Sequence, residues 1–155
     1  METSRPTILI DSREKEPLVF RLLPSAVGTL ATGDYSIEGF SDHFSVERKS
    51  IPDLVQSVTF DRDRFERELV RLRGYGFRRL IIIGAPADIE RHRYRSRAEP
   101  KAVIASLTAF EIRHDVPVCW CASACDAARQ IERWAAYWVR EQRERARALL
   151  GRAHA

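Results

Sequence analysis

Short strand-like runs set between amphipathic helical segments are the feature that most narrows what this chain can fold into. Residues 7–10 (TILI, ending at Asp11) and 80–83 (LIII) are built only of β-branched residues and leucine and are too short to be helices. That is the pattern of strands buried on both faces. Residues 34–37, 44–49 and 116–121 read as three more strands. Turn-forming Glu38-Gly39 and Ser41-Asp42 join the first two of these into a hairpin.

The intervening segments carry helix signals. Ser50 is placed to cap a helix with Pro52 in its first turn and Asp53 at the S-x-x-D position. Asp61 starts a second helix, with Phe65, Leu69 and Leu72 at helical spacing until Gly74 and Gly76 stop it. Its alternating charges suggest an exposed, salt-bridged face. Pro100 opens a third, with Val103, Ile104, Leu107 and Phe110 on one side. Ser123 and Asp126 form a capping box for a long last helix, striped by Ile131, Trp134, Ala135, Trp138 and Val139. A short helix is expected at residues 17–23, an irregular basic segment at 86–97, and a frayed polar tail beyond Arg140. Strands that cluster first and then alternate with helices give an α/β class, a central mixed sheet flanked by helices on both faces.

At 155 residues the chain fits one domain, residues 1–155, with its core at about 7–140. No apolar run approaches the roughly 20 residues that span a bilayer, and the N-terminus shows no secretory signal. No membrane association and a cytoplasmic location are therefore expected. A net charge of +4 is compatible with a polyanionic partner. Cys119, Cys121 and Cys125 lack the second pair that a structural zinc site needs. His43, His92, His114 and His154 show no ligand spacing, and neither a G-x-S-x-G nor a P-loop pattern is present.

The chemistry concentrates elsewhere. Asp11, Asp34 and Glu47 fall at or near strand ends, and Asp53 lies just beyond. If the hairpin forms, Asp34 and Glu47 sit on neighbouring strands, where two carboxylates repel unless a cation lies between them. Hard divalent cations are held by one or two such groups. Glu47 and Lys49 are two apart on a strand and share a face, while Arg48 takes the other. Of 26 Lys and Arg residues only Lys15, Lys49 and Lys101 are lysines. A compact ammonium at position 49 can stabilise a hydroxide or a phosphorane in a way the bulkier guanidinium does not. Asp with E-x-K is thus a metal-dependent phosphodiesterase arrangement. A surface hairpin with paired charges would show the same residues.

These residues spell a longer pattern. Ile10-Asp11-Ser12-Arg13-Glu14, Gly33-Asp34-Tyr35-Ser36-Ile37 and Val46-Glu47-Arg48-Lys49-Ser50-Ile51-Pro52-Asp53-Leu54 resemble the D-x-R-E, G-D-Y and V-E-R-K-S-x-x-D-L segments of the XPF-type structure-specific endonucleases. The resemblance covers roughly residues 7–140. It implies a restriction-endonuclease-like core and Mg²⁺- or Mn²⁺-dependent cleavage of DNA, including branched or flapped DNA in repair or recombination. Carried over by position, it makes Asp11, Asp34, Glu47 and Lys49 the catalytic set. Asp34, Glu47 and Asp11 are then metal residues, helped by the Arg48 carbonyl, and Lys49 orients or activates the attacking water. Arg13, Arg48 and Asp53 are supporting, with Asp53 equally readable as a helix-start acid. The family's helix-hairpin-helix module is not expected in this chain.

Arg91, Arg93, Tyr94, Arg95 and Arg97 offer a DNA clamp with a stacking ring, or else a solvated basic loop. Trp134 and Trp138 either pack on the sheet or contribute to a homodimer, as related nuclease domains often do. Two functions follow from the resemblance: an active DNA endonuclease, or an inactive DNA- or partner-binding module of the same fold. The intact acid-and-lysine set favours the enzyme.

Overall fold

A computed structural model describes residues 5–152, so His154 lies outside the described residues. Its centre is a six-stranded mixed sheet in the order β2-β1-β3-β4-β5-β6. The strands are β1 (Ile8–Asp11), β2 (Ser25–Gly28), β3 (Tyr35–Ile37), β4 (Phe44–Ser50), β5 (Phe77–Ile83) and β6 (Val118–Cys121). β3 pairs antiparallel with both β1 and β4, and the Tyr35–Val46 register confirms the expected hairpin. β4, β5 and β6 run parallel to one another.

Five helices follow the strands: α1 (Ile51–Val58), α2 (Arg62–Leu72), α3 (Pro86–Glu90), α4 (Pro100–His114) and α5 (Ala124–Arg152). They cover both faces of the sheet, as the alternation of elements requires. α1, α2 and α4 bury Leu54, Phe65, Leu69 and Phe110 against Leu80 and Ile82. α5 buries Ile131, Ala135 and Val139 against Ile81, Val46 and Phe44. Alternate residues of β5 therefore feed opposite cores, which is why that strand is apolar without alternation. α1 leaves β4 directly: the Ser50 hydroxyl accepts the Asp53 N–H at 3.2 Å, and proline sits in the first turn. Among the described residues no helix is long and apolar enough to cross a membrane.

The structure corrects five local expectations. Residues 17–23 are not helical. Their backbone donors go to side chains instead: Leu18 N–H to Tyr35 Oη at 2.9 Å, and the N–H groups of Arg21, Leu22 and Leu23 to Glu132 Oε1 at 2.9, 2.8 and 3.1 Å. Residues 25–28 form β2, parallel to β1, with its first three residues exposed. The irregular basic segment begins as a helical turn, α3, whose Asp88 carboxylate accepts the Ala85 N–H at 2.8 Å. α5 continues past Arg140 to Arg152. Ile104 is also 37% exposed, off the buried face of α4.

Trp134 and Trp138 pack on the sheet. Trp134 meets Phe77 edge-on at 5.6 Å, and Trp138 meets Phe40 at 4.9 Å and Phe44 at 5.8 Å. Glu132, two residues before Trp134 on α5, is only 3% exposed and carries the whole 21–23 segment on one oxygen. Glu132→Ala leaves three N–H groups without their charged acceptor and is expected to cost about 2–3 kcal/mol of stability. Urea denaturation of the two proteins, with unchanged m-value, measures that loss.

Candidate active site

β4 presents its charges to two sides, as the period of a strand dictates. Glu47 and Lys49 share a face, with Lys49 Nζ 3.2 Å from Glu47 Oε1. Arg48 points the other way, its guanidinium 3.1 Å from Glu14 Oε2. The Tyr35 hydroxyl donates to that same Glu14 oxygen at 2.8 Å.

Asp34 arrives beside Glu47 because the chain before β3 is pinned between two strands. Its N–H donates to the Val46 carbonyl at 2.8 Å, and its own carbonyl accepts the Asp11 N–H at 2.9 Å. The preceding Gly33 has φ +81°, and a Cβ there would collide with Ser45 Oγ. Only glycine allows this approach. The Asp34 carboxylate then accepts the Arg48 N–H at 2.7 Å.

Two acids that the motifs did not assign to the site join it. Glu68 on α2 reaches back towards the sheet, its Oε2 3.7 Å from Lys49 Nζ and otherwise without a hydrogen-bond partner. Glu14 stands in the D-x-R-E segment and lines the same cleft. The signal for Glu68 lay in the α2 stripe: it sits beside Leu69, one turn after buried Phe65, whose ring lies 5.1 Å from Lys49 Nζ. α2 is thus not simply the exposed salt-bridged helix its alternating charges suggested.

The electrostatics follow from this crowding. Burial first, and then the neighbouring Glu47 charge, push Asp34 up to about 8. Burial likewise pushes Glu47 up to about 7, with Glu68 adding to it while Lys49 pulls the other way. Burial works against the Lys49 ammonium, but Glu47 and then Glu68 outweigh it and hold the group above its ordinary range.

Asp11 behaves differently. Burial alone would raise it, but Arg13 and the Leu30 N–H hold it below the usual carboxylate range. Arg13 Nε donates to Asp11 Oδ2 at 2.8 Å, and Leu30 N–H to Oδ1 at 3.0 Å. Asp11 still lines the inner part of the cleft with Asp34, Glu47, Lys49 and Glu68.

The outer cleft is lined by seven carboxylates (Glu14, Glu16, Asp34, Glu47, Asp53, Asp61, Glu68) and five cations (Arg13, Lys15, Arg48, Lys49, Arg64). The chain is basic as a whole, yet this hollow has two more acidic than basic side chains. Asp53 is at its rim, in the first turn of α1. Residues 91–97 do not line it. Tyr94 is half-buried, stacked on His92 at 4.3 Å with its hydroxyl donating to the Ala98 carbonyl, and Arg93 pairs with Asp88. Arg91, Arg95 and Arg97 are exposed.

A model of the ERCC4 domain matches residues 10–133. The chain belongs to the ERCC4 domain family. The XPF-type resemblance of its motifs is met by this match and by the fold. This ERCC4 domain is similar to XPF from Aeropyrum pernix, with a TM-score of 0.68 and 26% identity over 84% of this chain and 60% of that one. It is also similar to XPF from Aeropyrum pernix, complex with DNA, with a TM-score of 0.69 and 25% identity over 88% of this chain and 66% of that one. The domain spans under two thirds of those chains. No curated protein matches it.

The Asp34 shift sets a pH signature. A carboxyl whose folded value is raised from 3.8 to about 8 binds its proton more firmly when folded. It therefore weakens the fold increasingly as pH rises through that window. Asp34→Asn keeps an acceptor for the Arg48 N–H and removes the charge. Without divalent cations, the variant is expected to melt several degrees above wild type at pH values above about 8, and level with it near pH 4. Paired melting curves across that range measure the crossover.

Proposed function

We propose that this ERCC4 domain is a divalent-metal-dependent endonuclease that hydrolyses phosphodiester bonds in DNA, acting on branched or flapped DNA in repair or recombination. The observation that carries the reading is the convergence of Asp34, Glu47 and Lys49 in one cleft that is short of positive charge. Membership of the family and likeness to an XPF structure complexed with DNA support it.

The residues fit a hard cation. Glu47 raises the proton affinity of Asp34, Glu68 raises that of Glu47, and Glu68 Oε2 lacks a hydrogen-bond donor. Among the described residues no three His, Cys, Asp or Glu side chains close into a metal cage by themselves. Mg²⁺ and Mn²⁺ do not need one, since they are held by one or two carboxylates with water and substrate completing the shell. Asp34 and Glu47 would hold the ion, and Asp11, whose oxygens keep spare lone pairs, completes the acidic set. The ion would supply charge neutralisation at a phosphate oxygen and an acidified water.

The chain's own groups do the rest. Lys49, held as an ammonium between Glu47 and Glu68, orients the attacking water and stabilises charge growing on the phosphate. A group held protonated in this way is not the base. Glu68 acts through Lys49 and is a positioning residue. Arg13 and Arg64, both largely exposed at the cleft, are placed to contact the DNA backbone. Arg48, tied to Glu14, braces β4 beside the cleft. Arg91, Arg95 and Arg97 remain candidates for contact with DNA running beyond the cleft.

Cleavage of flaps, forks, nicked duplex and plain duplex with Mg²⁺ or Mn²⁺ tests the reading. Asp34→Ala and Lys49→Ala are each expected to lower the rate by about a hundredfold or more, with Glu68→Gln falling less. Activity indifferent to EDTA and to both substitutions would sink the proposed site. Binding without cutting by the wild type would make this domain an inactive DNA-binding module.

A further inference from the structure

The chain has seven phenylalanines, and six of them are buried or half-buried in the two cores. Phe60 is the exception at 82% exposed. A lone exposed apolar side chain is ordinary, so exposure by itself argues nothing. Its setting argues more.

Phe60 stands at the tip of the turn between α1 and α2. That turn is tied down: Thr59 and Asp61 both donate their N–H groups to the Gln56 carbonyl, at 3.3 and 3.0 Å, and the Thr59 hydroxyl donates to the Val55 carbonyl at 2.6 Å. The ring is therefore presented by a hydrogen-bonded turn, not by a slack loop. Asp61 and Arg64 line both the depression around Phe60 and the catalytic cleft, so the ring stands on the rim of that cleft.

The charges beside it sort by direction. Arg62 is turned inward, donating to Ser106 Oγ at 2.8 Å and lying 4.5 Å from the Phe110 ring centre. Arg64 and Arg67 are exposed, as is Asp63, and half-buried Asp61 accepts from Gln56 Nε2 at 3.4 Å. An open aromatic face flanked by two guanidinium groups matches single-stranded nucleic acid, where unpaired bases stack on rings and phosphates meet cations. In a duplex the bases are already stacked on one another and offer no free face.

From this geometry we infer that Phe60 is a specificity residue, stacking on an unpaired base next to the scissile phosphate and so favouring DNA with a single-stranded arm. The inference rests on the endonuclease reading and assigns its substrate preference to one side chain.

The test uses the full chain in EDTA, so that binding is read without cutting. One probe is a forked DNA with 2-aminopurine in the unpaired arm beside the junction, and the other is a plain duplex of equal length. Fluorescence anisotropy gives affinity and 2-aminopurine quenching reports stacking. Wild type, Phe60→Ala and Phe60→Trp are compared, and their melting temperatures confirm folding.

Phe60→Ala is expected to lose about tenfold in affinity for the fork, with most of the preference over duplex and the quenching. Phe60→Trp is expected to retain all three. A wild type that prefers the fork while Phe60→Ala matches it in affinity and quenching overturns the role of Phe60 and leaves the endonuclease reading standing. Equal losses on fork and duplex overturn it as well. A wild type that binds neither probe overturns both inferences.

Discussion

Two carboxylates that repel one another are held in the same cleft, and much of the surrounding structure responds to that constraint. Asp34 cannot retreat, because its peptide is bonded on one side to β4 and on the other to β1. Glu47 cannot retreat, because it is a buried residue in the middle of β4, registered opposite Leu80 of β5. Burying two like charges together is costly unless cations answer them. Lys49 is the first answer, set two residues along the same strand.

The neighbours are arranged as a second layer of compensation. Glu68 and the Phe65 ring, both from α2, fix Lys49 from above. Along the cleft the Arg48–Glu14–Tyr35 chain ties β4 to the segment after β1. Arg13 neutralises Asp11, and its Nη2 donates to the Leu30 carbonyl at 2.8 Å, closing the wall of the cleft. The pairing is good but incomplete, and the hollow keeps more acidic than basic side chains. A surplus of acids in a basic chain is the physical mark of a candidate site rather than of a closed salt-bridge network.

The two faces of the sheet carry different work. α5 covers one face with tightly packed aromatics, joined by Leu18, Phe20 and Leu23, and holds residues 21–23 through Glu132. The other face is covered by several helices, and α1 and α2 lend their edge to the cleft. The turn joining them carries the one phenylalanine that neither core takes in.

The sequence by itself determined the interior strands, the helix stripes and the Asp34–Glu47–Lys49 set. Each of these is a local pattern: period two on a strand, a period of about 3.6 on a helix, a glycine where no Cβ fits. Tertiary structure decided what has no local signal. Residues 25–28 became a strand only because β1 offered them an edge. Residues 17–23 stayed non-helical because Glu132, more than a hundred positions away, took their donors. Glu68 entered the site because α2 folds back over β4, whereas the basic stretch at 91–97 fell outside the cleft lining. A charged side chain acquires a role from what it is packed against, and that packing is set by long-range contacts that spacing along the chain does not encode.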